Sequence, residues 1–135
     1  MDSRYITRVK TSDFYPRMKD RCKAYSFPEV SPSMLPEYTL IISDRGTDVE
    51  LYSVCFYNTD SNLAWLGWEL GNHEAPKELK KGALSQLIKG AEAYAKELGY
   101  DILFTTSKTK PVIQALRGLG FVEGDTDVNH YLKLL

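Results

Sequence analysis

The stretch that decides the fold is ELGNHEAPKELKKGALSQLI, residues Glu69–Ile88. Its pattern is typical of a strand end, a short loop and the first turns of a long helix. We predict one helix from Pro76 to Leu98, with Gly99 ending it in a left-handed conformation. The apolar stripe that supports this helix recurs at spacings of three and four residues: Leu84, Leu87, Ile88, Ala91, Ala95 and Leu98.

Three lysines, Lys77, Lys80 and Lys81, crowd the start of this predicted helix. Acidic side chains are favoured there, because free backbone N–H groups and the helix dipole make the N-terminus positive. The same N–H groups form a ready anion site, and a glycine lets a ligand approach the backbone closely. The alternative is an ordinary lysine-rich surface offset by Glu74 and Glu78. The candidate phosphate contacts are Lys80, Lys81, Gly82, Ala83, Leu84 and Ser85.

Upstream, the pattern predicts a first strand over Arg4–Val9 and a helix capped by Ser12 or Asp13. The proline-rich stretch SFPEVSPSMLPE is predicted to be a loop, of the kind that often frames a binding site. Three antiparallel strands with short turns follow, at Tyr38–Ser43, Val49–Tyr57 and Leu63–Leu70.

Downstream, Asp101–Thr106 is predicted to be a short buried strand, and Pro111 opens a helix that ends at Gly120. A hairpin of Phe121–Glu123 with Asn129–Leu134 closes the chain. Alternation of helix and strand in this half requires a parallel contact. The expected fold is therefore α/β: a single domain over residues 1–135, with a mixed, mostly antiparallel sheet and helices on both faces.

Composition excludes several classes of function. The 135 residues carry a formal net charge of -1, which argues against a nucleic-acid partner. No apolar run approaches the roughly 18 residues that span a bilayer, and the start lacks the apolar core of a secretory signal, so we expect a cytoplasmic protein with no membrane partner. Cys22 and Cys55 are expected to be reduced thiols. No set of residues has metal-ligand spacing, so no metal is expected.

The element order, and two segments above all, resemble the GNAT acyltransferase superfamily. One segment is ELGNHEAPKELKKGALSQLI; the other is ILFTTSKTKPVIQALRGLGF, residues Ile102–Phe121, whose helix closes on Leu-Gly-Phe. The resemblance implies the acyl-CoA N-acyltransferase fold and acetyl-CoA as co-substrate. It also implies an amine acceptor, a small molecule or a peptide, that attacks the acetyl group directly in a ternary complex.

The resemblance also implies binding residues. The family holds the pyrophosphate of acetyl-CoA at the start of the long helix, where Gly82 matches a family glycine. Its pantetheine arm pairs with the backbone of a strand that parts from its neighbour, here at Leu70, Gly71 and Asn72. Thr109 stands where the family usually has asparagine.

Three residues are candidates for acid–base chemistry: Glu69, His73 and Tyr131. Glu69 is the only carboxylate in the apolar run LAWLGWEL, and partial desolvation beside Trp68 would raise its pKa toward that of a useful base. Strand alternation predicts Trp65 and Glu69 on one face and Trp68 on the other, in the core. His73 is an alternative base. The family's acidic tyrosine is replaced by Leu116, and Tyr131 is the candidate to take its place.

Leucine at three family motif positions, Leu79, Leu84 and Leu116, leaves a second function open. The chain would then be a catalytically inactive GNAT-like module that binds acyl-CoA or a protein. Assembly into a homodimer is also open, and the acceptor does not follow from the sequence.

Overall fold

The computed structural model describes residues 3–135 and contains one five-stranded sheet in the spatial order β1-β2-β3-β4-β5. Strands β1 to β4 pair antiparallel, and β5 pairs parallel with β4. The predicted mixed, mostly antiparallel sheet is therefore confirmed. The strands are β1 Arg4–Lys10, β2 Tyr38–Asp44, β3 Glu50–Tyr57, β4 Leu63–Gly71 and β5 Ile102–Thr105.

Helices cover both faces of this sheet, as predicted. They are α1 Thr11–Ala24, α2 Lys77–Lys80, α3 Ala83–Glu97 and α4 Lys110–Gly118, with a 3-10 turn at Pro32–Met34. One face packs under α1 through Phe14, Met18 and Cys22. The other packs under α3 and α4, where Leu87 and Ile88 are fully buried. Within residues 3–135, no helix has the length and apolar character needed to cross a membrane.

The single helix predicted from Pro76 to Leu98 is wrong, because the chain breaks between α2 and α3. Lys81 has extended dihedral angles and Gly82 has a left-handed φ of 78°. Glycine adopts this conformation without steric cost, so Gly82 becomes the residue that caps α3. The lysines therefore precede the long helix instead of lying in its first turn.

The predicted C-terminal hairpin is also absent from the described residues. Residues 121–135 contain no strand, and Tyr131, Leu132 and Leu134 are exposed. Consequently no strand pairs with the outer edge of β5 among residues 3–135. The prediction of a buried β5 is wrong for the same reason, since Ile102 is 55% exposed and Phe104 is 43% exposed.

A β-bulge interrupts β4 and reverses its side-chain alternation. Ser53 pairs with Leu70 and Cys55 pairs with Gly67, so two steps along β3 match three along β4. The extra residue lies at Trp68, whose φ is 56°. Leu66 consequently packs on the α3 side, whereas Leu70 packs on the α1 side. The predicted placement of Trp68 in the core is wrong, because the bulge turns its ring to the partly exposed surface that Trp65 occupies.

Candidate active site

Strand β4 continues beyond the end of β5 at one edge of the described sheet, so the two strands part there. Their pairing runs only as far as Leu66 with Thr105, after which β5 ends and β4 continues to Gly71. The N–H of Asn72 donates to the carbonyl oxygen of Leu51 at 2.9 Å. Since hydrogen-bonding direction alternates along a strand, Leu70 also faces β3 and Gly71 faces the opening. Of the three backbone sites predicted here, Gly71 is thus the one that presents its polar groups to the gap.

Glu69 lies directly after the bulge, and its carboxylate reaches across to the end of β5. The hydroxyl of Thr105 lies 2.7 Å from Glu69 Oε1 and 2.9 Å from the carbonyl oxygen of Leu66. Burial raises the pKa of Glu69, while hydrogen bonds from Thr105 and from its own backbone N–H oppose that rise. A partly buried carboxylate with a raised pKa, beside the end of a strand pairing, is a candidate group for proton transfer.

The N-terminus of α3 offers unpaired backbone donors. No side chain caps the helix, so the N–H groups of Ala83, Leu84 and Ser85 in its first turn have no intrahelical acceptor. The side chains of Ala83 and Leu84 are buried, which leaves their backbone as the available part. The surroundings of Gly82 are open, because a Cβ there would meet only Arg4 Nη1 at 3.8 Å. Lys81 beside it is exposed.

Arg4, which the sequence did not single out, organises this loop from β1. Its guanidinium donates to Gln86 Oε1 at 3.0 Å and to the carbonyl oxygens of Leu79 at 3.0 Å and Lys81 at 2.5 Å. Three acceptors on both sides of Gly82 are thereby tied to one side chain. The planar guanidinium group, with its fixed N–H donors, suits the binding of several separate acceptors better than a lysine ammonium does.

Lys80 and Asn72, both predicted to contact the cofactor, make hydrogen bonds within the protein. Lys80 Nζ donates to the carbonyl oxygen of Asn72 at 3.1 Å. The buried Asn72 side chain donates to the carbonyl oxygen of Glu50 at 2.7 Å and accepts from the N–H of Glu74 at 3.1 Å. These bonds connect the loop after β4 to both β3 and α2, so the two residues hold the backbone of that loop in place.

Comparison with known proteins supports the fold. No protein-family profile matches the sequence, and no curated protein matches it either. Several solved structures do match along nearly the whole chain. One is an aminoglycoside acetyltransferase from an uncultured soil metagenomic sample in complex with sisomicin, at a TM-score of 0.71 and 13% identity, covering 99% of this chain and 98% of that one.

Two further matches come from different organisms. The glucosamine-6-phosphate N-acetyltransferase of Arabidopsis thaliana has a TM-score of 0.64 and 8% identity, covering 98% of this chain and 100% of that one. The ribosomal-protein-alanine N-acetyltransferase of Brucella melitensis biovar Abortus has a TM-score of 0.60 and 14% identity, covering 98% and 99%. This chain has the GNAT acetyltransferase fold. The resemblance read from the sequence is thus confirmed at the level of the fold.

Other predicted residues occupy the periphery of this GNAT fold. Tyr131 is 87% exposed, in a segment without helix or strand. Thr109 occupies the N-cap position of α4 without a side-chain hydrogen bond to the helix, and its Oγ1 lies 3.1 Å from Ser107 Oγ. His73 is exposed and packs edge-on to Tyr25, with ring centroids 6.3 Å apart. Of the two candidate bases, only Glu69 lies at the parting of the strands.

The two cysteine thiols of this chain are unsuited to nucleophilic catalysis. Cys22 and Cys55 are both free and buried. Burial raises the pKa of Cys55 to about 12 and also raises the pKa of Cys22. Because the thiolate is the reactive form, neither side chain is prepared to accept an acyl group.

Three side chains from two distant segments of the chain converge on the surface beyond β4. Asp20 on α1 meets His73 and Glu74, with one potential ligand atom from each within 4.8 Å of the others. The sequence predicted no metal site, because this cluster exists only once α1 packs beside the loop. All three residues are exposed, and such groups are common on surfaces that bind no ion.

Proposed function

We propose that this protein is an acetyltransferase that moves an acetyl group from acetyl-CoA to an amine. The observation that carries the proposal is the parting of β4 from β5 beyond Leu66 and Thr105, with Glu69 at the point where they separate. Strand edges are normally paired or covered, so a free stretch of β4 beside a carboxylate of raised pKa suits a ligand that pairs with the backbone.

The residues present fit acetyl-CoA. The polar backbone of Gly71 faces the opening, where it would pair with the amide-containing pantetheine arm. The uncapped N–H groups of Ala83, Leu84 and Ser85 would take the pyrophosphate, with Lys81 and the open backbone at Gly82 beside them. Leucine at the family positions Leu79 and Leu84 does not prevent this, because backbone donors carry the interaction.

Acetyl-CoA supplies a thioester, which is reactive enough for direct attack by an amine. Glu69 removes a proton from the incoming ammonium, so that the neutral nitrogen attacks the carbonyl carbon. The new N–C bond forms, the nitrogen loses its second proton to solvent as the C–S bond breaks, and the released thiolate takes up the proton held by Glu69. Direct attack in a ternary complex is favoured over a covalent enzyme intermediate, because Cys55 is held as a thiol by its raised pKa.

A two-part experiment tests this proposal. The melting temperature is first followed with acetyl-CoA, because a ligand that binds only the folded state raises it. Thiol release is then measured with a panel of amines. Lys81→Glu is expected to weaken the effect of acetyl-CoA, whereas Lys89→Glu, an exposed charge reversal later on the same helix, is the matched control. Equal effects of the two substitutions would refute the phosphate site.

The second candidate function is a GNAT-like module that binds acyl-CoA or a protein without catalysis. It is favoured by Leu116, which stands at the family's tyrosine position, and by the exposure of Tyr131, its predicted replacement. Stabilisation by acetyl-CoA without thiol release on any amine would select this function. Turnover abolished by Glu69→Gln would exclude it.

A further inference from the structure

A buried asparagine, Asn72, joins the two stretches of chain that the proposed acetyl-CoA site uses. It directly follows Gly71, whose polar groups face the opening beside β4, and it is 6% exposed. Its carbonyl oxygen accepts from Lys80 Nζ at 3.1 Å and from the N–H of Ala75 at 3.1 Å. Lys80 is the last residue of α2, so this bond reaches the segment that leads into Gly82. One residue therefore links the end of β4 to the loop ahead of α3.

The side chain of Asn72 is fixed at both of its polar atoms. Nδ2 donates to the carbonyl oxygen of Glu50 at 2.7 Å, and Oδ1 accepts from the N–H of Glu74 at 3.1 Å. The backbone N–H donates to the carbonyl oxygen of Leu51 at 2.9 Å. Because the N–H, the carbonyl and the side-chain amide are all bonded, the residue has one well-defined orientation.

The network continues from Glu50 into α1. The Glu50 carboxylate accepts from Arg21 Nη2 at 2.7 Å and from Arg17 Nε and Nη2, each at 3.0 Å. The Arg21 side chain is 7% exposed, and its Nη1 is buried with no hydrogen-bond partner among residues 3–135. A buried ion pair adds little net stability, and an unpaired buried donor costs free energy. Stability alone is thus a poor explanation for this pair, which fixes the start of β3 against α1.

From these contacts we infer that Asn72 is a positioning residue for acetyl-CoA. It acts through its neighbours, because it holds the loop around Gly82 in a set relation to the end of β4. In the proposed site the pantetheine arm lies along β4 and the diphosphate lies at α3, so one molecule spans both parts. A small displacement of either part then weakens the binding of the whole molecule. This inference rests on the proposed function for the identity of the ligand.

The first test is a substitution that removes one hydrogen bond. Asn72→Asp keeps the shape of the side chain and the acceptor for the Glu74 N–H, but it replaces the donor to the Glu50 carbonyl by an oxygen. We expect the KM for acetyl-CoA to rise about tenfold. The kcat/KM for S-acetyl-N-acetylcysteamine, a thioester without the nucleotide, should not change, because this compound does not reach the loop. A loss of folded protein alone would lower the rates with both thioesters equally.

Two further variants separate the lost bond from the added charge. Asn72→Ala removes both side-chain bonds and adds no charge, and its KM for acetyl-CoA should rise at least as much. Asn58→Asp adds the same charge to an exposed asparagine after β3, whose Oδ1 accepts from Tyr100 Oη at 2.8 Å and stays an acceptor in the variant. Its KM for acetyl-CoA should match that of the parent. A rise in Asn72→Asp but not in Asn72→Ala would overturn the inference, because the charge itself would then repel the cofactor.

A double-mutant cycle tests the path through Lys80. Lys80→Met removes the bond to the carbonyl oxygen of Asn72, so the two variants break the same link when Asn72 acts through Lys80. The effects of Asn72→Ala and Lys80→Met on the KM for acetyl-CoA are therefore expected to be less than additive. Fully additive effects would contradict this path.

Binding of coenzyme A, followed by melting temperature, separates this inference from the proposed function. Weaker stabilisation of Asn72→Ala than of the parent, with no thiol release from either protein, would uphold the positioning role and refute the transferase. Turnover with the same KM for acetyl-CoA in the parent and in Asn72→Ala would overturn the positioning role and leave the transferase standing. A parent protein that coenzyme A does not stabilise would refute both.

Discussion

The hydroxyl oxygen of Thr105 lies 2.7 Å from Glu69 Oε1 and 2.9 Å from the carbonyl oxygen of Leu66. A hydroxyl carries one hydrogen, so it donates to only one of these acceptors at a time. When Glu69 is ionised, the carboxylate takes that hydrogen. When Glu69 is protonated, its own O–H is able to donate to Thr105, which then donates to Leu66. The proton on Glu69 thus decides the direction of a two-bond chain across the strand ends.

Thr105→Val removes the donor that stabilises the ionised carboxylate. The pKa of Glu69, already raised by burial, is expected to rise further. The acid limb of the pH profile of kcat/KM should move to higher pH, while Thr105→Ser, which keeps the hydroxyl, should leave it in place. An unshifted limb in the valine variant would mean that Thr105 does not control this proton.

Glu69→Gln separates catalysis from stability. Because the folded-state pKa of Glu69 is raised, the ionised group destabilises the fold above that pKa. This penalty disappears as the pH falls toward 4.5, the ordinary pKa of a glutamate side chain. Near neutral pH, the glutamine variant is therefore expected to be at least as stable as the parent by urea denaturation, and the difference should shrink on acidification. Acetyl transfer should fall by about 10²-fold or more, the usual contribution of a general base.

Arg4→Ala is expected to loosen the loop ahead of α3. Three acceptors lose their donor, among them the partly buried carbonyl oxygen of Leu79, and leaving such groups unpaired costs about 1–3 kcal/mol of the free energy of unfolding. Steady-state kinetics should show a higher KM for acetyl-CoA with a smaller change in kcat. Arg4→Lys keeps the positive charge but lacks the several N–H donors of the guanidinium. If the lysine variant matched the parent in stability and in KM for acetyl-CoA, charge alone would account for the role of Arg4.

Gly67→Ala tests the packing between β4 and the ring of Tyr57 on β3. The added methyl group would lie 3.1 Å from Tyr57 Cε1, and overpacking of this kind typically costs about 1–3 kcal/mol. Gly118→Ala at the end of α4 is the control, since a Cβ there meets nothing within 4 Å. Thermal unfolding should show a lower melting temperature for the first variant and not for the second.

Cys55 should resist alkylation in the folded protein. Burial raises the pKa of its thiol to about 12, so almost no thiolate is present at pH 8. Mass spectrometry after iodoacetamide treatment is expected to show Cys55 unmodified in buffer and modified in denaturant. Rapid native modification would indicate that the α1 layer opens.

The sequence predicted the elements whose signals are local. Periodic apolar residues located α1 and β2 to β4 to within one or two residues, and Leu87 and Ile88 were correctly placed in the core. Gly82 also indicates the break that follows α2, but the long apolar stripe of this segment favours one continuous helix.

The site depended on information that is not local. The bulge at Trp68 arises from strand register, and a tryptophan with positive φ has no sequence signature. Arg4 meets Gln86 from 82 positions away, so no spacing rule connects them. Residues 121–135 have the apolar/polar alternation of a hairpin, yet they form no strand in the fold.

The break between α2 and α3 changes the electrostatics of the lysines that precede Gly82. In a continuous helix they would oppose the dipole at its N-terminus, but Lys77 and Lys80 instead lie in the last turn of α2, where cations are favourable. Lys80 is fixed there by its bond to the carbonyl oxygen of Asn72. The basic loop is therefore preorganised before any anion arrives, and binding need not supply the energy to assemble it.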